Sequence, residues 1–388
     1  MKKNIAILGS TGSIGKTLID ILNKDKNKFK IILLTSNTNY KELLKQVKLF
    51  NVKNIILKDH KTFLLVKKIL KNNKINIYNN FDHFYKIFKK TKLDYTMSAI
   101  SGLDGLKPTL DIIKFTKKIA IANKESIICG WSLINKNMKR FKSQFIPIDS
   151  EHFSIWSLMN DLKNPNIEKV YITASGGPFK NYPIKDFKFI TPSEALKHPS
   201  WSMGKKISID SATMMNKVFE IIEAKKIFNF KYSQLEILVH SKSYIHAMIK
   251  FSNGLIKIIA HDTDMKIPIF NSLYPNFEKT IKSKNVNFKI LNNIDFQKVD
   301  LIRFPIVKLI KSLPLKNSLF ETVIVSANDC LVDNFLKKKI KFLDISKFLF
   351  KIVNDKEFKK YKIKEPLNIE EIRALNKYVS LKTNSLCV

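Results

Sequence analysis

Only 10 glycines occur in the 388 residues, and three of them crowd into Gly9-Ser10-Thr11-Gly12-Ser13-Ile14-Gly15. The apolar run Asn4 to Leu8 precedes this stretch, and Ile14, Leu18, Ile21 and Leu22 follow at helical spacing. A buried strand that breaks at a glycine-rich turn and re-enters as a helix is a strong constraint on fold. The glycines let the chain turn tightly and bring its backbone close to a pyrophosphate, while the helix N-terminus offers free N–H groups and a positive dipole end. The spacing is GxxGxxG rather than the commoner GxGxxG. An ordinary strand-to-helix turn is the plainer explanation, but such a turn rarely needs three glycines. Gly9, Thr11, Gly12, Ser13 and Ile14 are therefore the first candidate ligand-binding residues.

The pattern downstream agrees. Strands at 30–34, 54–57, 93–100 and 118–122 alternate with helices at 13–23, 40–50 and 62–70, which implies βαβ units and a parallel sheet. This domain is expected to span residues 1–149. From Ser150 the pattern mixes, with strands at 170–173, 235–240, 243–250 and 255–260, the last two flanking the hairpin signal Asn253-Gly254. An α+β domain of antiparallel sheet and helices is expected over 150–274. A poorly periodic linker over 275–300 and a helical domain over 301–388 complete the expected order. No internal repeat is visible.

Charge raises a different possibility. The chain carries 69 basic and 33 acidic residues, a formal net charge of +36, which invites a polyanion partner. However, Arg140, Arg303 and Arg373 are the only arginines, and base and phosphate readers favour the planar guanidinium fork. The lysines are spread along the whole chain, as on a solvated surface, so no nucleic-acid partner is expected. No run of 18 apolar residues suggests a membrane span. The N-terminal apolar run is too short for a signal peptide, and Cys129, Cys330 and Cys387 form no paired spacing. A cytoplasmic protein is the expectation.

Further islands depart from the lysine-rich background. Ala122-Asn123-Lys124-Glu125-Ser126 ends a strand of the first domain, where open α/β sheets bind ligands. In Pro147-Ile148-Asp149-Ser150-Glu151-His152, an extended backbone would project Asp149 and Glu151 to one side. Two such carboxylates repel unless a cation joins them, and hard oxygen donors suit Mg²⁺ or Mn²⁺. Ser175-Gly176-Gly177-Pro178 follows a strand and could present a hydroxyl and N–H groups to an anion. Asp210 or Ser211 would cap a helix on which Asn216 and Glu220 share a face, with Lys217 nearby; these groups suit a phosphomonoester, with Glu220 as a third metal ligand. The loop His198-Pro199-Ser200-Trp201-Ser202-Met203-Gly204 holds one of three tryptophans, and His198 and His246 could orient phosphate or move a proton. Each island has a plainer explanation, as a solvated turn, a capped helix or a packed aromatic.

Taken in order, GSTGSIG, ANKES, PIDSEH, SGGPF, HPSWSMGKKISIDSATMMNK, FEIIEA and SANDC resemble the 1-deoxy-D-xylulose 5-phosphate reductoisomerase family over essentially the whole chain. The resemblance implies an α/β protein with an N-terminal Rossmann-like NADP-binding domain, a central α+β catalytic domain and a C-terminal helical bundle, acting as a homodimer. It implies NADPH and a divalent cation, Mg²⁺ or Mn²⁺ with Co²⁺ as a further candidate, and conversion of 1-deoxy-D-xylulose 5-phosphate to 2-C-methyl-D-erythritol 4-phosphate. Asp149, Glu151 and Glu220 would hold the metal. Lys124 and His152 join them in the catalytic set. Ser150, Ser175, His198, Trp201, Met203, Ser211, Asn216, Lys217 and His246 would bind substrate, His198, Trp201 and Met203 from a closing loop. Gly9, Thr11, Gly12, Ser13, Ile14, Asn37, Asn39, Asn123, Glu125 and Gly204 would bind the cofactor. Two other classes compete: another NAD(P)-dependent dehydrogenase of a phosphorylated metabolite, and a lysine-rich polyanion binder.

Some positions depart from the family pattern. Val218 replaces a glycine after the MNK lysine, Asn328-Asp329 stands for an NE pair, and His261-Asp262-Thr263-Asp264-Met265 stands where the family has a GEPDM-like stretch. After the second strand, Thr35-Ser36-Asn37-Thr38-Asn39 holds no carboxylate, which favours a 2′-phosphorylated cofactor. It also lacks the family's basic residue, for which Lys41 is a substitute. Thr38→Arg is expected to lower KM for NADPH in steady-state assays; an unchanged KM would mean that the 2′-phosphate contact is supplied elsewhere.

Overall fold

A computed structural model describes the chain except for Met1, Asn72, Asn73, Asp161, Asn164, Ser200, Ser202, residues 276–278 and Val388. The chain forms two compact units: Met1–Ile127 with Ser132–Asp149 and Met265–Ile281, and Ile128–Trp131 with Ser150–Asp264 and Lys282–Val388.

The first unit is built on seven strands: β1 (Lys3–Leu8), β2 (Phe29–Ser36), β3 (Asn54–Leu57), β4 (Asn76–Tyr78), β5 (Leu93–Ser98), β6 (Thr116–Ile121) and β7 (Gln144–Pro147). All pair in parallel, in the order β4-β3-β2-β1-β5-β6-β7. Between them run α1 (Ser13–Asn23), α2 (Tyr40–Phe50), α3 (His60–Ile69), α4 (Phe84–Phe88), α5 (Leu106–Ile113) and α6 (Lys124–Phe141). Helices cover both faces of a parallel sheet, so its strands read as continuous apolar runs. Ile5, Ala6, Ile7, Leu8, Leu33 and Leu34 are accordingly fully buried. The strand order reverses between β1 and β5, which places a crevice at the carboxyl end of β1, where such sheets bind ligands.

The turn at that end is stitched to β2. The Gly9 N–H donates to Thr35 Oγ1 at 2.8 Å, the Ser10 N–H donates to the Thr35 carbonyl at 2.9 Å, and the Thr11 and Ser36 hydroxyls lie 2.8 Å apart. Gly9 has a φ of +82°, and a Cβ on Gly15 would lie 2.4 Å from the Gly9 carbonyl oxygen. These two glycines are required by the fold itself. Gly12 is different: a Cβ there would meet nothing closer than 3.5 Å, and Gly12 and Ser13 are exposed.

The second unit contains β8 (Ile167–Ala174), β9 (Leu235–Val239), β10 (Ile245–Phe251) and β11 (Ile256–Ala260), with α7 (Ser150–Met159), α8 (Pro192–Ala195), α9 (Lys205–Thr213) and α10 (Met215–Phe228). A further strand, β12 (Gln297–Lys298), completes the order β11-β10-β8-β9-β12. The expectation of an antiparallel sheet holds for three of its pairings, but β8 and β9 run parallel. The connection between them passes through three helices, and such a crossover brings the chain back in the same direction.

The expected boundary at 274/275 is also displaced. The helix α11 (Lys266–Leu273) belongs to the first unit, because Ile269, Phe270, Leu273 and Tyr274 enter its core and Ser272 bonds the buried Tyr95 hydroxyl at 2.8 Å. The expected linker 275–300 carries α12 (Phe288–Leu291) and the paired strand β12. The helices α13 (Phe320–Leu336), α14 (Phe342–Asn354), α15 (Lys356–Lys359) and α16 (Ile369–Asn384) form the expected C-terminal helical part, but they share one unit with residues 150–264. A fully buried ion pair, Lys226 to Glu321 at 2.9 Å, and an Asn328 amide donating to Asp210 at 2.8 Å tie α13 to α10 and α9. No helix among the described residues is long and apolar enough to cross a membrane.

These contacts separate the two kinds of glycine in the turn. Gly15→Ala is expected to destabilise the fold by about 1–3 kcal/mol through overpacking, whereas Gly12→Ala is expected to keep the thermal midpoint and raise KM for the dinucleotide. Melting curves and cofactor titrations of the two variants check this.

Candidate active site

In the second unit Glu151, Lys217 and Glu220 meet in the interior. Glu151 lies in the first turn of α7, and Lys217 and Glu220 lie in the first half of α10; all three are buried. An oxygen of Glu151 and one of Glu220 lie within 4.8 Å of each other. Two carboxylates that close repel by at least about 3 kcal/mol even at an effective dielectric constant of 20. The Lys217 ammonium answers this by bonding both, with 2.6 Å to Glu220 Oε2. Burial disfavours its charge, but the two carboxylates more than offset that and hold its pKa above the usual lysine value. The pair is further held by the Ser150 hydroxyl, donating to Glu151 Oε2 at 2.6 Å, and by the Asn216 amide, donating to Glu220 Oε1 at 2.5 Å. His152 Nε2 donates to the backbone carbonyl of Glu220 at 3.0 Å, which pins α7 to α10.

Asp149 stands one residue before α7, so the chain itself carries its carboxylate close to Glu151 in sequence. The expectation of an extended Asp149-Ser150-Glu151 is corrected: the strand has ended at Pro147, and Glu151 is already helical. Within the first unit, Lys124 Nζ donates to Asp149 Oδ2 at 2.7 Å from the first residue of α6.

A second set of polar groups gathers at Ser175. His198 Nδ1 accepts from the Trp201 N–H at 2.9 Å, so its proton is on Nε2, which donates to Ser175 Oγ at 3.1 Å. Ser175 Oγ also accepts the Gly177 N–H at 3.1 Å. With two donors already received, the Ser175 hydroxyl can still donate its own proton. A Cβ on Gly177 would fall 2.9 Å from the Ser211 carbonyl oxygen, so only glycine lets this turn close against α9. Ser211 is consequently beside the Ser175 turn. It lies in the last turn of α9 and Asp210 is buried under Lys206 and Asn328, so neither caps the next helix as expected. The chain instead breaks at Met214, with φ +68°, and α10 restarts with the Met215 N–H donating to Thr213 Oγ1.

The loop tryptophan covers a ring. Trp201 is edge-on to the buried His246, centroids 6.2 Å apart, while Met203 is half-buried and Gly204 is exposed.

Family models match along the chain: 1-deoxy-D-xylulose 5-phosphate reductoisomerase over residues 5–130, its C-terminal domain over 145–228, and the DXP reductoisomerase C-terminal domain over 261–380. A protein named 1-deoxy-D-xylulose 5-phosphate reductoisomerase from Pelagibacter ubique (strain HTCC1062) is 63% identical over 387 residues, covering 100% of both chains. The chain belongs to the 1-deoxy-D-xylulose 5-phosphate reductoisomerase family. The reductoisomerase from Zymomonas mobilis, solved in complex with NADPH, superimposes with a TM-score of 0.88 at 32% identity, covering 100% of this chain and 99% of that one. A DOX-P reductoisomerase solved with NADPH, fosmidomycin and magnesium gives 0.89 at 30% identity, covering 99% and 98%.

Set against this reductoisomerase fold, several expected cofactor residues have structural duties. Asn123 caps α6 by accepting the Ser126 N–H, and its amide also bonds the carbonyls of Ile100 and Gly102. Asn39 caps α2 by accepting the Glu42 N–H at 3.3 Å. Asn37 is exposed after β2, and Glu125 is buried in the first turn of α6. Three features escaped the sequence. Glu223, one turn beyond Glu220, brings an oxygen within 4.8 Å of a His152 nitrogen. Lys206 bridges Asp210 and Asp329 at 2.9 and 3.1 Å. His261 stacks on His246, centroids 3.9 Å apart. The first two had a helical spacing as their signal; for the third the sequence showed only that His261 departs from the family pattern, not what it would touch.

Burial, and then His261, push the His246 pKa down to about 3; burial, and then Lys217, push His198 down to about 4. Unfolded imidazoles titrate near 6.5. Between pH 6.5 and these lower values the unfolded chain binds protons that the folded chain refuses, so stability is full above pH 6.5 and falls as the pH drops through that window. Urea unfolding at pH 7 and pH 5 is expected to show a smaller loss for His246→Phe than for the wild type; equal losses would remove His246 as a cause.

Proposed function

We propose that this chain catalyses the NADPH- and divalent-metal-dependent rearrangement and reduction of 1-deoxy-D-xylulose 5-phosphate to 2-C-methyl-D-erythritol 4-phosphate, the first committed step of non-mevalonate isoprenoid synthesis. The observation that carries it is the full-length likeness to proteins named for that reaction, joined to a buried carboxylate pair, Glu151 and Glu220, whose oxygens lie within 4.8 Å of each other. The donor set fits the metal, because carboxylate oxygens suit hard divalent ions. Asp149, Glu151 and Glu220 would hold it. When bound, the ion polarises the substrate's ketone and neighbouring hydroxyl, and the nicotinamide supplies hydride.

The chain's own groups do the rest. The turn at Gly9 to Gly15 offers the N-terminus of α1 to the dinucleotide pyrophosphate, through Thr11, Gly12, Ser13 and Ile14. Ser175, Ser211 and Asn216 bind the substrate phosphate, and His198 orients the Ser175 hydroxyl while remaining neutral. Lys217 braces Glu151 and Glu220 by itself, so its assignment to phosphate requires another cation at the pair. Lys124 and Ser150 contact the reacting oxygens, and His152 positions Glu220. Trp201, Met203 and His246 exclude water above the substrate. The enzyme works as a cytoplasmic homodimer, with Mn²⁺ or Co²⁺ able to replace Mg²⁺.

NADPH oxidation in the presence of 1-deoxy-D-xylulose 5-phosphate is expected only with Mg²⁺ or Mn²⁺ added. Glu220→Gln is expected to lose that activity while keeping its circular dichroism spectrum and melting cooperativity. Full turnover in excess EDTA, or near-normal activity of the variant, would overturn the metal assignment.

A further inference from the structure

His246 lies at an irregularity in the sheet. The pairing of β10 with β11 matches Ile245 to Ala260 and Ala247 to Ile259, leaving His246 as the extra residue of a bulge. Bulges re-aim side chains, and here the His246 ring lies flat on His261 at 3.9 Å and 18°. Three hydrogen bonds fix the pair. The His261 N–H donates to the Tyr244 carbonyl at 3.1 Å, His246 Nε2 donates to the His261 carbonyl at 3.1 Å, and His261 Nδ1 donates to the Asp262 carbonyl at 2.8 Å. Each ring thus carries a proton on the nitrogen that faces a carbonyl, and burial holds both pKa values below the ordinary imidazole value. The remaining nitrogen, His261 Nε2, is buried with no hydrogen-bond partner among the described residues. A desolvated, unanswered acceptor costs stability, so this placement is not explained by stability.

The two rings belong to a longer column. Phe153 on α7, two residues after Glu151, is edge-on to His261 at 6.4 Å, and Trp201 of the loop is edge-on to His246 at 6.2 Å. The column runs from the helix bearing Glu151 to the loop that covers the substrate. We infer that His261 is a positioning residue for this reaction: it walls one face of His246 and so fixes the ring against which Trp201 seats. Without a side chain at 261, His246 keeps its backbone but loses the face that holds its rotamer, and Trp201 loses a defined seat.

The inference rests on the proposed reaction only for its kinetic consequence, and the test keeps the two apart. The full chain is labelled with fluorotryptophan, and the Trp201 resonance is assigned with Trp201→Phe. In ligand-free protein His261→Ala is expected to shift and broaden that resonance and leave that of Trp131 in place, while His261→Phe, which restores a flat ring, returns it toward the wild-type position. In assays with 1-deoxy-D-xylulose 5-phosphate, His261→Ala is expected to raise KM about fivefold with a smaller change in kcat, and His261→Phe to recover most of the loss. A lowered melting midpoint with an unmoved Trp201 resonance and an unchanged KM would mean that His261 only packs, and would overturn the inference. If the wild type fails to turn over this substrate, the reaction is wrong, and the resonance comparison still decides the role of His261.

Discussion

A lysine ammonium buried between two carboxylates is the interaction on which the second unit depends. Lys217 joins Glu151 on α7 to Glu220 on α10, and the His152 bond to the Glu220 carbonyl locks the same two helices from beneath. Neither carboxylate could remain charged there alone, because an unpaired buried charge costs several kcal/mol. The cluster therefore fixes how the helices cross, and everything mounted on them inherits that geometry: Ser150 and Phe153 on α7, and Asn216 at the start of α10.

Around this cluster the protein places neutral groups where charge would interfere. His198 and His246 are both held far below their ordinary pKa by burial. A neutral His198 can receive the Trp201 N–H on one nitrogen and direct Ser175 with the other; an imidazolium could not do the first. The break at Met214 serves a similar end. A non-glycine residue with φ +68° carries strain of order 1–3 kcal/mol, and it starts a fresh helix so that Asn216, Lys217 and Glu220 all face the cluster. In the first unit the same logic appears in steric form: Gly9 and Gly15 are fixed by contact with backbone, while Gly12 has room for a Cβ.

Much of this is legible in the sequence. The helices 13–23 and 40–50 and the strand 54–57 fall where periodicity put them, because a parallel sheet covered on both faces writes long apolar runs into the chain. The extended reading of Asp149 to Glu151 failed because the first turn of α7 begins at Ser150, and a single turn carries too few residues to show a period. The boundary near 274 failed for a related reason. The helix α11 is an ordinary apolar helix in sequence, and only its partners, Tyr95 and the core below β1, reveal that it returns to the first unit.

By itself the sequence determined the glycine-rich turn after β1 and the family to which the chain belongs, since these reside in short motifs whose chemistry is local. Tertiary structure alone decided that Lys217 braces the carboxylates, that Asn123 and Asn39 are caps, that Ser175 is aimed by His198, and that His261 lies under His246. Each of these joins side chains from separate elements or settles which of several partners one polar group takes. Such choices depend on packing distance and burial, neither of which is encoded in the spacing of residues along the chain.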